Sequence, residues 1–98
     1  MNYLELIAAE IQRIAEPDSS PPDDYISLFC QYAVLALAKG EAVTSEDVHD
    51  AWVVWAIEHD PGNRNILPFK ELSLSVQRED EPYAEAIREA ARKLQLSD

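Results

Sequence analysis

Apolar residues recur at helical spacing in four blocks of this chain, and no segment gives credible strand alternation. Tyr3, Leu4, Ile7, Ala8, Ile11, Ile14 and Ala15 form the first block, so residues 2–16 read as an amphipathic helix that stops before Pro17. The tract Pro17-Asp18-Ser19-Ser20-Pro21-Pro22 is a loop by composition, and Asp23 or Asp24 can cap the next helix. From Tyr25 to Lys39 the pattern is apolar almost all round. Tyr25, Leu28, Phe29, Tyr32, Leu35 and Ala36 share one face with Val34 and Leu37 beside it, which predicts the most buried helix of the fold. Lys39 favours the negative end of its dipole, and Gly40 supplies a left-handed terminating residue.

The third block, Thr44 to Asp60, places both histidines and both tryptophans on one helix with no Lys or Arg. Thr44 serves as N-cap, and Asp47 three residues on completes an approximate capping box. Projection at about 100° per residue gathers Glu46, Asp47, Asp50 and Glu58 on one side and Val48, His49, Trp52, Trp55, Ala56 and His59 on the other. Pro61 and Gly62 end the helix. Ile66, Leu67 and Phe69 are expected to pin the following loop to the core, with Pro68 fixing a bend. Ser73 can cap a short helical turn over residues 72–77. Asp80 can cap the last helix, whose core stripe is Tyr83, Ile87, Ala90, Ala91 and Leu94, with Pro82 in the first turn.

Composition narrows the class. With 98 residues and 47% hydrophobic content the chain suits one small globular domain spanning 1–98, not a disordered tail. Cys30, the single cysteine, can form no internal disulfide, which suits a reducing, cytoplasmic setting. Glu5 and Glu10 interrupt the N-terminal apolar pattern, so neither a signal peptide nor a membrane anchor is expected. A net charge of -11 argues against direct nucleic-acid binding and against anionic membranes, and favours a basic protein partner.

Candidate chemistry is sparse. The two glycines, Gly40 and Gly62, lie in no nucleotide-binding pattern. His49 and His59 are too far apart on one helix to share an ion. Glu46 and His49 make one Glu-x-x-His pair where a di-iron bundle needs two, so no metal and no cofactor are expected. Ser73 and Ser75 sit in a capping context and complete no hydrolase set, so the catalytic residues are none. His49 falls on the apolar side, where a buried ring needs a partner. The expected partner is a backbone carbonyl in the loop carrying Pro68. Trp52 and Trp55 read first as core area.

The order His49-Asp50-Ala51-Trp52, then Leu67-Pro68-Phe69-Lys70-Glu71-Leu72, then Gln77-Arg78-Glu79-Asp80 resembles the tail of the ryanodine-receptor repeat domain over residues 44–94. That resemblance implies an all-helical module, with nucleotide or other ligand sensing as in its stand-alone bacterial and phage forms. The whole chain is also similar to an uncharacterised family of short actinobacterial and actinophage proteins. The shared features are an opening like Met1-Asn2-Tyr3-Leu4, the run Tyr32-Ala33-Val34-Leu35 ending at Lys39-Gly40, and Val43-Thr44 before Val48-His49-Asp50-Ala51-Trp52. This likeness implies a bacterial or phage origin.

The expected fold is therefore all-α, four main helices plus one short turn, with the second and third helices at the centre. The expected function is a non-catalytic binding or regulatory module presenting Glu46, Asp47, Asp50 and Glu58 to a protein partner. One alternative is a nucleotide-like ligand sensor whose pocket uses His49, Trp52, Arg64, Pro68, Phe69 and Lys70. Another is a phage-type acidic decoy that occupies a nucleic-acid-binding surface with carboxylates in place of phosphates.

Overall fold

The structure is a computed structural model that describes residues 2–18 and 24–95. Among these the chain is all-α, with helices α1 (Tyr3–Ala15), α2 (Asp24–Lys39), α3 (Ser45–His59), α4 (Leu74–Glu79) and α5 (Glu81–Lys93). Single 3-10 turns, Gly40–Ala42 and Phe69–Glu71, precede α3 and α4. The four long helices match the four apolar blocks, and the short α4 takes the place of the expected helical turn. No helix of the described residues is long and apolar enough to cross a membrane.

Local signals set most of the boundaries. The Asn2 side chain accepts from Glu5 N at 2.9 Å while Glu5 accepts from Asn2 N, a capping box that opens α1. Thr44 and Asp47 form the same reciprocal pair at α3, as their spacing predicts. Gly40 adopts φ 56° and turns the chain out of α2. Ser73 accepts from Val76 N to cap α4. The expected cap at Asp23 lies outside the described residues, and Asp24 is already the first residue of α2.

Asp80 departs from expectation. It has helical backbone angles between α4 and α5, and its side chain makes no capping hydrogen bond. Asp80 is the single residue between the two helices, and its carboxylate turns toward the interior.

The core joins Ile7, Ala8 and Ile11 of α1 to Leu28, Phe29, Tyr32, Ala33 and Ala36 of α2, and to Ala84, Ala86, Ile87 and Ala90 of α5. Val43, Val48 and Ala51 close it from the α3 side. The small alanine face of α5 lets it pack against α1, α2 and α3 alike, so α2 and α5 hold the centre where α2 and α3 were expected. The apolar surround of α2 is only half used, since Tyr25, Ile26, Val34 and Leu37 stay exposed. Tyr3 and Leu94, placed on core stripes by periodicity, are also exposed because each lies at a helix end beyond its neighbour's reach.

The loop after α3 is pinned differently from the pattern's suggestion. Leu67 is exposed, Ile66 and Phe69 are half-buried, and Leu72 is the residue that enters the interior. Polar clamps do the rest: the Gln77 amide donates to the carbonyls of Phe69 and Leu72, both at 3.1 Å. Asn63 accepts from Asn65 N at 2.8 Å and donates to Asp60. These contacts hold the loop against α3 and α4, next to the only buried polar side chain recorded among the described residues, His49.

Candidate functional site

His49 is 3% exposed. Its ring takes both of its polar contacts from outside its own helix. Nε2 lies 2.6 Å from the carbonyl oxygen of Leu67, the residue before Pro68. A carbonyl only accepts, so Nε2 carries the hydrogen, and in the neutral ring Nδ1 is left as an acceptor. This is the loop tie that the sequence predicts for His49. The ring is also stacked on Trp52, with centroids 5.6 Å apart, and tilted against Phe69.

Nδ1 faces Asp80, whose Oδ2 is 3.9 Å away, beyond hydrogen-bonding distance. The Asp80 side chain is only 18% exposed. Burial pushes its carboxyl up to about 6; His49 opposes that rise, and the neighbouring Glu79 charge adds to it. With the ring neutral and Asp80 ionised, two acceptors face each other at the start of α5, and a proton on Nδ1 turns the same contact into an ion pair.

This pair borders a cavity of about 480 Å³ at the end of the bundle. Tyr25, Phe29 and Tyr32 reach it from α2, His49, Trp52 and Trp55 from α3, and Tyr83 from α5. Glu16, Glu79 and Asp80 supply carboxylates, Asn63 and Asn65 amides, and among the described residues no Lys or Arg lines it. The rings brace each other: Tyr25 meets Trp55 edge-on at 5.3 Å, and Trp55 stacks on His59 at 4.7 Å. The Tyr83 hydroxyl donates to Glu16, and burial raises the pKa of Tyr83 and, further still, of Tyr32.

Of the six residues expected to form a pocket, the structure brings only His49 and Trp52 to this cavity. Pro68 lines a shallower depression of about 270 Å³ with Asp50, Val53, Ile66 and Leu67. Phe69 packs on the His49 ring without lining the cavity, and Arg64 and Lys70 are exposed outside both hollows. Sequence reasoning missed Glu16, Tyr25, Tyr32, Glu79, Asp80 and Tyr83 as site residues. One signal was present: Tyr25, Phe29 and Tyr32 make an aromatic ladder at i, i+4 and i+7.

The acidic side of α3 is a separate surface. Glu46, Asp50 and Glu58 are exposed. Asp47 is half-buried and engaged, with Lys39 Nζ 2.9 Å from its Oδ1 and the Thr44 backbone donating to its other oxygen. Burial alone would raise Asp47, but Lys39 and Thr44 together hold it below the usual carboxylate range. Val54 and Ile57 lie in the same angular sector as these acids, 53% and 57% exposed.

A family model described as a domain of unknown function, DUF7701, matches residues 2–92, and the chain belongs to that family. No curated protein and no solved structure matches it.

Proposed function

We propose that this member of the family is a non-catalytic binding module that offers the outer face of α3 to a protein partner with a basic surface. The observation that carries the reading is the pair Val54 and Ile57, large aliphatics held in solvent among Glu46, Asp50 and Glu58. Carboxylates alone would be an ordinary solvated face. Apolar anchors set within them give a contact that can be desolvated, while the charge steers encounter. The net charge of -11 supports the same sign of partner. The module acts as one domain in a bacterial or phage cytoplasm.

The test is affinity capture from a bacterial lysate at low and high salt, using the parent and a variant carrying Glu46→Lys, Asp50→Lys and Glu58→Lys. The expected result is a salt-sensitive partner held by the parent and lost by the variant. Equal yield from both at low salt removes the assignment. A captured nucleic-acid-binding protein that DNA or RNA displaces would instead mark the acidic face as a decoy. A second reading, small-ligand sensing, draws on the cavity and on the likeness of residues 44–94 to the ryanodine-receptor repeat domain. A nucleotide is the less suitable ligand there, since Arg64 and Lys70 stand outside the lining and cannot meet its phosphates.

A further inference from the structure

We propose that the cavity between α2, α3 and the α4–α5 junction binds a protonated amine with an apolar body, its N–H groups shared by Asp80 and His49 Nδ1 and its body lying on the Trp52, Trp55 and Tyr25 rings. The inference starts from the two facing acceptors. Because Leu67 O fixes a hydrogen on Nε2, the His49 ring, whenever it is neutral, presents a lone pair toward Asp80 Oδ2, 3.9 Å away. Neither atom can donate to the other while Asp80 is ionised and the ring is neutral. A single ammonium nitrogen set beside them is within hydrogen-bonding reach of both and brings the charge that a poorly solvated carboxylate lacks.

The rest of the cavity selects the same chemistry. Among the described residues its charged side chains are carboxylates, Glu16 and Glu79 besides Asp80, so an anion meets repulsion there. Indole and phenol faces attract a cation and accept an apolar body at once. The volume, about 480 Å³, lies within the range of small-molecule sites and exceeds what a bare inorganic cation fills. Asp80 is also kept ionisable at the cost of fold stability, since burial raises its pKa. Such a position fits a group retained for a ligand.

The chain carries its own reporter, because both of its tryptophans line the cavity. Intrinsic fluorescence of the full chain is titrated with 2-phenylethylamine, and in parallel with 3-phenylpropionate and 2-phenylethanol, which keep the ring and change the charge. A saturable response to the amine is expected, with the neutral and anionic probes weaker by about tenfold or more, as for loss of a hydrogen bond to a charged group. Asp80→Asn should weaken the amine by a similar factor, and Glu46→Lys with Asp50→Lys should leave it unchanged. If Asp80→Asn fails to fold, Glu79→Gln, an exposed residue on the cavity wall, carries the same comparison with a smaller loss. Three outcomes overturn the proposal: no saturable signal at millimolar amine, equal affinity for all three probes, or amine binding that follows the α3 surface charges and ignores Asp80 and Glu79.

Discussion

Asp47 and Asp80 both stand where the sequence invites a helix cap, and the protein uses them in opposite ways. Asp47 lies three residues after Thr44, closes a reciprocal box and takes a Lys39 ammonium, so its ionised form is favoured. Asp80 makes no cap, turns inward beside His49 and is favoured in its neutral form. The first outcome follows from neighbours in the chain. The second depends on α3 and α5 arriving at the same place, and capping rules carry no information about that. Two carboxylates that capping rules place at helix starts thus stabilise the fold at one and burden it at the other.

The largest effect is expected at the residue that defines the Asp80 side of this contrast. His49→Ala removes the Nε2–Leu67 contact, leaves that carbonyl short of a partner and opens space beside Trp52 and Phe69. A loss of about 1 to 3 kcal/mol is expected in urea unfolding. An unchanged midpoint would show that the α3–loop tie contributes nothing and that Asp80 faces an idle ring.

Of the fold, the helix blocks, the box at Thr44 and the tie from His49 to the Pro68 loop were legible in the sequence. Each depends on spacing along one element or on the need to satisfy one buried group. The centrality of α5 was not legible, because alanines give a weak apolar signal yet permit close approach from several helices. The cavity was mostly hidden for a related reason. Its carboxylates come from the ends of α1, α4 and the α4–α5 junction, where periodicity says nothing about direction. Arg64 and Lys70 illustrate the converse, as nearness in sequence to Pro68 did not bring them to the His49 cavity.

The next effect has the opposite sign. Asp80 has a folded pKa of about 6 against its ordinary 3.8, so its ionisation disfavours the fold. The stabilising contribution is complete below the ordinary value and is lost as pH rises through the folded one. Asp80→Asn should therefore be more stable than the parent near pH 7, by about 1 kcal/mol after allowance for solvent screening. The parent should recover that difference progressively as pH falls from about 6 toward the ordinary 3.8. Glu10 acts in a separate window. Arg13 holds its carboxyl at about 2, so its stabilising share is lost only as pH falls from its ordinary 4.5 through that value. Thermal unfolding from pH 7 to pH 3 should accordingly show a maximum at about pH 4 in the parent, where the two windows meet, and Asp80→Asn should lack the rise that leads to it. Equal stability of the two proteins at pH 7 contradicts the reading of Asp80 as a burdened group.

The smallest effects separate Asp47 from the three acids that share its face. Asp47→Ala removes one half of the capping box and the Lys39 bridge together, and a cost of about 0.5 to 1 kcal/mol is expected for a cap of this kind. Glu46→Gln, Asp50→Asn and Glu58→Gln remove no contact from the core and leave Val54 and Ile57 where they are, so the unfolding midpoint should stay at the parent value. The division matters for partner binding, since a charge that also holds the helix start cannot be reversed without confounding affinity with folding. If all four substitutions shift the midpoint alike, Asp47 is one more solvated carboxylate, and the contrast with Asp80 reduces to burial alone.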